Sequence, residues 1–134
     1  ICRMYNHEET EMKALLIDVM ENKVETVDVN GLEDYYKLIH CTTIDIVNRE
    51  IKGKRYDIIC DDEGTFSDDP LISAIDDLGR AMLVGNLIVC GEADEEGNLT
   101  ALTDDDIKHI KENIQSMGTS RHPEGHCMIC QMEY

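Results

Sequence analysis

The chain has no tryptophan, one phenylalanine and two prolines, and only 12 of its 134 residues are Lys or Arg. With so few aromatic residues, the core has to be built mainly from Ile, Leu, Val and Met. The shortage of basic residues leaves 29 Asp plus Glu largely unbalanced, which gives a formal net charge of −17 at pH 7. Such an acidic surface repels nucleic acid, anionic membranes and phosphorylated ligands, and it suits basic partners or cations.

Long apolar runs are also missing. The longest, residues 81–90, is interrupted by Gly85 and Asn86 and falls short of the roughly 20 residues that a helix needs to cross a bilayer. The first residues carry several charges, which does not fit a secretory signal. We therefore expect a cytoplasmic protein in which the six cysteines stay reduced.

The length of 134 residues fits a single domain. Residues 1–11 precede Met12 and an apolar segment, so we interpret them as an N-terminal extension or a cloning remnant outside the fold. Residues 12–118 are expected to form one α+β domain. Residues 119–134 have no apolar periodicity, and we expect them to form a C-terminal tail that contains cysteine and histidine.

Two pairs of segments have the pattern of antiparallel hairpins, with apolar stretches on either side of a short polar turn. The second of these turns is Lys52-Gly53-Lys54, which suits a tight hairpin connection. A further strand is expected in the apolar segment before Gly91. The predicted strands span residues 15–20, 24–29, 42–51, 56–60 and 87–90.

Three helices are predicted. Asn30, with Glu33 at the third helical position, predicts a capped helix that carries Ile39. The segment Pro70–Leu78 has apolar residues spaced for one buried helical face. Thr103 followed by Asp106 resembles a capping box, and the apolar stripe after it continues to Met117 and ends at Gly118. The expected fold class is α+β, a small and mostly antiparallel sheet with two or three helices.

The order of these segments resembles a known family. The residues that carry the resemblance are Met12-Lys13-Ala14-Leu15-Leu16-Ile17, Asp61-Asp62-Glu63-Gly64, Gly85-Asn86-Leu87-Ile88-Val89-Cys90-Gly91 and Leu102-Thr103-Asp104-Asp105. Over residues 12–115 they resemble a family of small bacterial and phage proteins with a domain of unknown function. The resemblance implies a setting in phages, plasmids and the gut Firmicutes that host them, and it implies no activity.

The C-terminal tail contains the candidate metal ligands, His122, His126, Cys127 and Cys130. Two imidazoles and two thiols can supply the four nitrogen and sulfur ligands of a tetrahedral zinc ion, and a CxxC pair can share that ion across a tight turn. Cys2 or His7 could complete the site if the two ends of the chain meet. The competing interpretation is a reduced tail whose single CxxC is incidental.

The acidic clusters support weaker hypotheses. The segment Glu92–Gly97 resembles the start of a calcium loop, but Thr103 stands where the bidentate Glu belongs. Asp61, Asp62 and Glu63 follow a predicted core strand and are candidates for acid–base catalysis, with ordinary turn chemistry as the alternative. Phosphate loops, dinucleotide fingerprints and HExxH motifs are missing from the sequence. We therefore expect a protein that is not an enzyme and has no catalytic residues.

The leading expectation is an acidic accessory protein of phage or mobile-element origin. It would act as a protein-binding module for a host or phage protein with a basic surface, because opposite charges speed the encounter. A sharper form of this hypothesis is a nucleic-acid mimic, which requires the carboxylates to gather on one face. The alternative is a small zinc-binding protein that uses the tail. Direct contact with nucleic acid or membrane is not expected, and both a monomer and a homodimer remain open.

Overall fold

A computed structural model describes residues 12–63, 71–118 and 127–134 of the chain. Within these ranges the chain forms nine strands and two helices. The strands are β1 (Met12–Asp18), β2 (Lys23–Val29), β3 (Ile44–Ile51), β4 (Lys54–Asp61), β5 (Ile72–Ile75), β6 (Ala81–Val84), β7 (Leu87–Cys90), β8 (Ile114–Met117) and β9 (Cys127–Gln131). The helices are α1 (Leu32–Ile39) and α2 (Asp104–Lys111).

A five-stranded sheet contains the two predicted hairpins. Its strand order is β2-β1-β7-β4-β3, and every pair of neighbours is antiparallel. Lys52 (φ 43°) and Gly53 (φ 92°) both have the left-handed backbone that a two-residue hairpin turn requires between β3 and β4. The hairpin predictions and the core strand at residues 87–90 are confirmed.

A second sheet has four strands in the order β6-β5-β9-β8. Strand β9 runs parallel to β5 and antiparallel to β8. The chain then continues to the edge of the first sheet, where the backbone N–H groups of Glu50 and Glu133 each donate to the other residue's carbonyl oxygen at 2.8 Å. The Arg55 Nη2 atom donates to the Tyr134 carbonyl oxygen at 2.8 Å. The last residues therefore join the two sheets.

The core is aliphatic, as the composition predicts. One cluster joins the two sheets and α2; its fully buried members include Leu15, Ile17, Ile58, Leu87, Val89, Ala74, Cys130 and Ile110. A second cluster lies between the other face of the five-stranded sheet and α1, and it includes Ala14, Leu16, Tyr35, Ile39, Ile59, Ile88 and Cys90. Both faces of the central strands are thus covered by apolar side chains.

The helix predicted over Pro70–Leu78 is wrong. Residues 64–70 lie outside the described ranges, and Ile72–Ile75 forms strand β5. A tight turn follows it, in which the Asp76 carboxylate accepts hydrogen bonds from the Leu78 and Arg80 backbone N–H groups at 2.9 and 2.8 Å. Leu78, expected on a buried helical face, is 72% exposed. Pairing with β6 and β9 outweighs the local helical pattern.

The two other helices form, with corrections at their ends. Thr103 and Asp106 make the predicted capping box. Helix α2 ends at Lys111, however, and the apolar stripe beyond it belongs to strand β8, because Ile114 and Met117 pair with β9. The predicted Asn30 cap of α1 is wrong, since Gly31 (φ 101°) occupies the N-cap position without a side-chain hydrogen bond.

The described part of the chain is therefore α+β and rich in strands, with a mostly antiparallel arrangement and two helices. The segment 127–131, which the sequence places in a C-terminal tail, forms the strand between β5 and β8. None of the described helices has the length and apolar character needed to cross a bilayer.

Candidate interaction surface

The five-stranded sheet exposes carboxylates at both of its ends. At one end β7 finishes, β1 begins, and the chain leaves through the loop 92–98 toward α2. We call this region the acidic end. Its exposed carboxylate residues are Asp28, Glu33, Glu92, Asp94, Glu95, Glu96, Asp104 and Asp105. Loop 92–98 is exposed throughout.

A buried carboxylate anchors the start of this loop. Asp57 of β4 is 9% exposed, and its Oδ2 atom accepts a hydrogen bond from the Ala93 N–H at 2.7 Å. Its Oδ1 atom accepts from Asn48 Nδ2 at 2.9 Å, and the same amide donates to Glu92 Oε2 at 2.9 Å. The Arg55 Nε atom donates to Asn48 Oδ1. The loop is therefore attached to strands β3 and β4 by a polar network.

The loop is also shaped from within. Asp94 Oδ1 accepts hydrogen bonds from the Glu96 and Asn98 N–H groups at 2.9 and 3.0 Å. Gly97 has φ 86°, a conformation that favours glycine. The Asp94 carboxylate is used by the turn, while the side chains of Glu95 and Glu96 point into solvent. Because the backbone of this turn is already ordered, little of its conformational entropy is lost when the loop binds a partner.

The start of α2 is fixed to the same end of the sheet. The Lys13 Nζ atom lies 2.8 Å from Asp104 Oδ1, and the Leu102 N–H donates to the Lys13 carbonyl oxygen at 2.9 Å. The hydrogen bond from Lys13 lowers the pKa of Asp104 below its ordinary value. This exposed ion pair contributes little stability, but it removes one cation from the surface field.

Asp106 forms the second ion pair at this end, with Lys54. Burial works to raise the pKa of Asp106, but hydrogen bonds from Lys54 and Thr103 outweigh it and lower the pKa to about 2. The Tyr56 hydroxyl also donates to Asp106 Oδ1, at 3.2 Å. The carboxylate is thus fully engaged, which makes it a structural group that ties α2 to β4.

The opposite end of the sheet also exposes acids, chiefly Glu21, Asp62 and Glu63. Here Asp61 Oδ1 accepts a hydrogen bond from the Glu63 N–H at 2.9 Å, and Asp18 Oδ1 accepts from the Glu21 N–H at 2.9 Å. These contacts are the ordinary chemistry of turns. The acid–base site considered for Asp61, Asp62 and Glu63 gains no partner base from them.

Comparison with known proteins identifies the family. The chain belongs to the family described as Domain of unknown function (DUF3846), whose model matches residues 12–115. No curated protein and no solved structure matches the chain significantly. The resemblance to a domain of unknown function is confirmed over the predicted residues. The match ends before β9, so the strand between β5 and β8 comes from residues beyond the family region.

In this DUF3846 chain the predicted zinc ligands are only partly placed. His122, His126 and the side chain of Cys127 lie outside the described part of the molecule. Cys130 is fully buried in β9, and burial raises the pKa of its thiol to about 12. The backbone of the CxxC segment follows a strand rather than a tight turn. The zinc site stays a prediction, because three of its four candidate side chains lie outside the described residues.

Among the described residues, no three or more His, Cys, Asp or Glu side chains are grouped as metal ligands. Cys60 and Cys90 are buried, as the apolar segments around them predict. Burial raises the pKa of these two thiols to about 11 and about 12. Thiols in this state are poor nucleophiles and metal ligands, so they act as small core residues.

Sequence reasoning missed three polar residues that shape the domain: Asn48, Asp57 and Asn86. Asn86 is fully buried, accepts a hydrogen bond from the Val19 N–H at 3.0 Å and donates to the Leu38 carbonyl oxygen at 3.0 Å. It therefore links the β1–β2 turn to the end of α1. A polar residue inside an apolar segment is the signal that could have found Asn86 and Asp57.

Proposed function

We propose that this DUF3846 chain is a non-enzymatic binding module that contacts the basic surface of another protein through its acidic end. The observation that carries the proposal is the arrangement of loop 92–98 beside the start of α2. Glu95, Glu96 and Asp105 are exposed there, and the ion pairs of the described residues involve none of them. Of the cations at this end, Lys13 and Lys54 are paired with Asp104 and Asp106, whereas Lys52 of the β3–β4 turn is in none of these ion pairs.

Electrostatics favours a basic protein as the partner. The formal net charge of −17 attracts a cationic surface over a range of about 10 Å at 0.1 M salt. The hydrogen-bonded turn fixes the backbone that carries Glu95 and Glu96, and their negative charge speeds the encounter with a basic surface. The association should therefore weaken steeply as salt is added.

Plain protein binding has more support than nucleic-acid mimicry. A mimic needs its carboxylates on one continuous face, whereas this chain also exposes Glu21, Asp62 and Glu63 at the opposite end of the sheet. The phage or mobile-element setting is part of the proposal and is supported by the family resemblance alone. In that setting the partner is a host or phage protein with a basic surface.

The experiment compares two variants with the same change of charge. The first neutralises the acidic end through Glu95→Gln, Glu96→Gln and Asp105→Asn. The second neutralises the opposite end through Glu21→Gln, Asp62→Asn and Glu63→Gln. Each protein, and the unchanged chain, is used to capture and cross-link partners from a lysate of the source organism, and bound proteins are identified by mass spectrometry.

We expect one basic protein to be captured by the unchanged chain and by the opposite-end variant, and to be lost from the acidic-end variant. Its capture should also decline between 50 and 300 mM salt, a range of about sixfold chosen to span strong and weak screening. Equal capture by both variants would show that the acidic end is not the contact surface. Equal loss would show that net charge alone decides the binding.

A further inference from the structure

A small cavity lies at the corner where the two sheets and α2 meet. Its volume is about 230 Å³, and its lining residues are Lys52, Asn113, Gln131, Met132 and Glu133. Lys52 comes from the β3–β4 turn, and Asn113 comes directly after the end of α2. The other three residues belong to β9 and its continuation toward β3. Three separate segments thus contribute to one concave site.

The walls of this cavity are fixed by backbone hydrogen bonds. The Gln131 N–H donates to the Asn113 carbonyl oxygen at 3.1 Å, and the Met132 N–H donates to the Ile75 carbonyl oxygen at 2.9 Å. Glu133 exchanges two hydrogen bonds with Glu50. A ligand entering here finds a site whose backbone is already formed, so little conformational entropy is lost on binding.

The lining carries opposite charges that do not neutralise each other. The ion pairs formed within residues 12–63, 71–118 and 127–134 include neither Lys52 nor Glu133, so their charged atoms are more than 4.0 Å apart. Both side chains belong to exposed residues. Two residues of opposite charge therefore line one cavity without forming an ion pair with each other.

The remaining polar lining residues, Asn113 and Gln131, add two side-chain amides. Asn113 Nδ2 donates to the His109 carbonyl oxygen at 2.8 Å, which leaves its Oδ1 atom as an acceptor. The Met132 side chain is 1% exposed and belongs to the core between the sheets. The carbonyl groups at the end of α2 add a partial negative charge on the Asn113 side, which favours a positively charged ligand group there.

We propose that this cavity binds a small zwitterion of the α-amino-acid type. The ligand's carboxylate contacts the Lys52 ammonium, and its ammonium contacts the Glu133 carboxylate and Asn113 Oδ1. A free anion is disfavoured by Glu133 and by the net charge of −17. A simple cation is disfavoured by Lys52. A ligand with no net charge and two separated ionic groups satisfies both.

The first test is a titration of the full chain followed by amide NMR shifts. The probes are L-leucine, N-acetyl-L-leucine, which lacks the ammonium, and L-leucinamide, which lacks the carboxylate. We expect saturable shifts at Asn113, Gln131 and Glu133 with L-leucine. Each derivative should bind about tenfold more weakly, because one charge-assisted contact is lost. Absence of saturation, or equal binding of all three probes, overturns the proposal.

Two variants assign the ionic contacts. In Lys52→Met, the preference for L-leucine over L-leucinamide should disappear, and in Glu133→Gln, the preference over N-acetyl-L-leucine should disappear. Lys37→Met and Glu21→Gln change equally exposed charges far from the cavity and should leave both preferences unchanged. The Glu133 contacts to Glu50 are made by the backbone, so the side-chain change leaves them intact. If both variants keep the preference for L-leucine over its derivatives, the ligand binds at another site.

Discussion

The two sheets of this domain are built very differently. In the five-stranded sheet, four strands have seven or eight residues, and their two hairpins pair along the whole strand length. The four-stranded sheet has strands of four or five residues. Its β5–β6 pair has register shifts, and its parallel β5–β9 pair has two registered positions. We infer that the second sheet opens more readily than the first.

The strongest test of this difference removes matched buried side chains from the two sheets. Ile58 of β4 is 0% exposed and Ile129 of β9 is 2% exposed. Ile58→Ala should lower the free energy of unfolding by about 4 kcal/mol, and Ile129→Ala by about 2 kcal/mol, because the shorter sheet relaxes around the cavity more easily. Urea denaturation measures both. Ile46→Ala, at a site 47% exposed, is the control and should cost less than about 0.5 kcal/mol. A larger loss at Ile129 would reverse our ranking of the sheets.

The same contrast explains how far the sequence predicts the fold. The first sheet depends on hairpins whose turns and alternating apolar residues are local features, so local sequence alone is enough to predict strands at residues 24–29 and 56–60. Its β7 strand is an uninterrupted apolar segment beside Gly91, which also reads as a buried strand. Local chemistry and tertiary pairing agree in this sheet.

In the second sheet, the local sequence pattern and the tertiary strand pairing do not agree. Four-residue strands such as β5 and β8 are too short to show a two-residue period, and their apolar residues also fit a helical face. Pairing with β9 decides their conformation, and β9 comes from a segment without periodicity. The candidate surface was predictable in part: the acidic loop was visible in the sequence. The anchoring role of Asp57 depends on a contact with Ala93 that spans 36 residues.

The buried side-chain amide of Asn86 links the first sheet to α1, and no such amide is described for the second sheet. Asn86→Ala would leave the Val19 N–H and the Leu38 carbonyl oxygen without their partner in a buried region. We expect a loss of about 2–3 kcal/mol in the free energy of unfolding, together with faster amide exchange in the β1–β2 turn. Asn98→Ala, in the exposed loop, is the matched control and should change stability by less than about 0.5 kcal/mol. If the two substitutions lower the free energy of unfolding equally, Asn86 does not stabilise the contact between the β1–β2 turn and α1.

Two matched cysteines compare the opening of the sheets directly. Cys90 lies in the first sheet and Cys130 in the second; both are 0% exposed. Burial raises the pKa of each thiol to about 12, so their intrinsic reactivities are alike. Under native conditions, alkylation by iodoacetamide should be at least about tenfold faster at Cys130, since it requires only local opening. Mass spectrometry of timed digests gives both rates. Equal rates would mean that the two sheets open together.

The smallest expected effect concerns the attachment of α2 to the first sheet, where Asp106 of α2 contacts Lys54 and Tyr56 of β4. Its pKa in the folded protein is about 2, below the ordinary 3.8, so the unfolded chain binds the proton more readily. The stability from this group is therefore complete above pH 3.8 and disappears as the pH falls toward 2. Asp106→Asn should cost about 1 kcal/mol at pH 7, a value reduced for the exposure of Lys54, and almost nothing at pH 2. Asp105→Asn, next to it and exposed, should cost less than about 0.5 kcal/mol at either pH.

If the contact between Asp106 and β4 also stabilises β8 through α2, Cys130 alkylation should be faster in the Asp106 variant at pH 7, while Cys90 stays protected. An unchanged ratio of the two thiol rates would show that β8 and β9 are held by the core between the sheets rather than through α2.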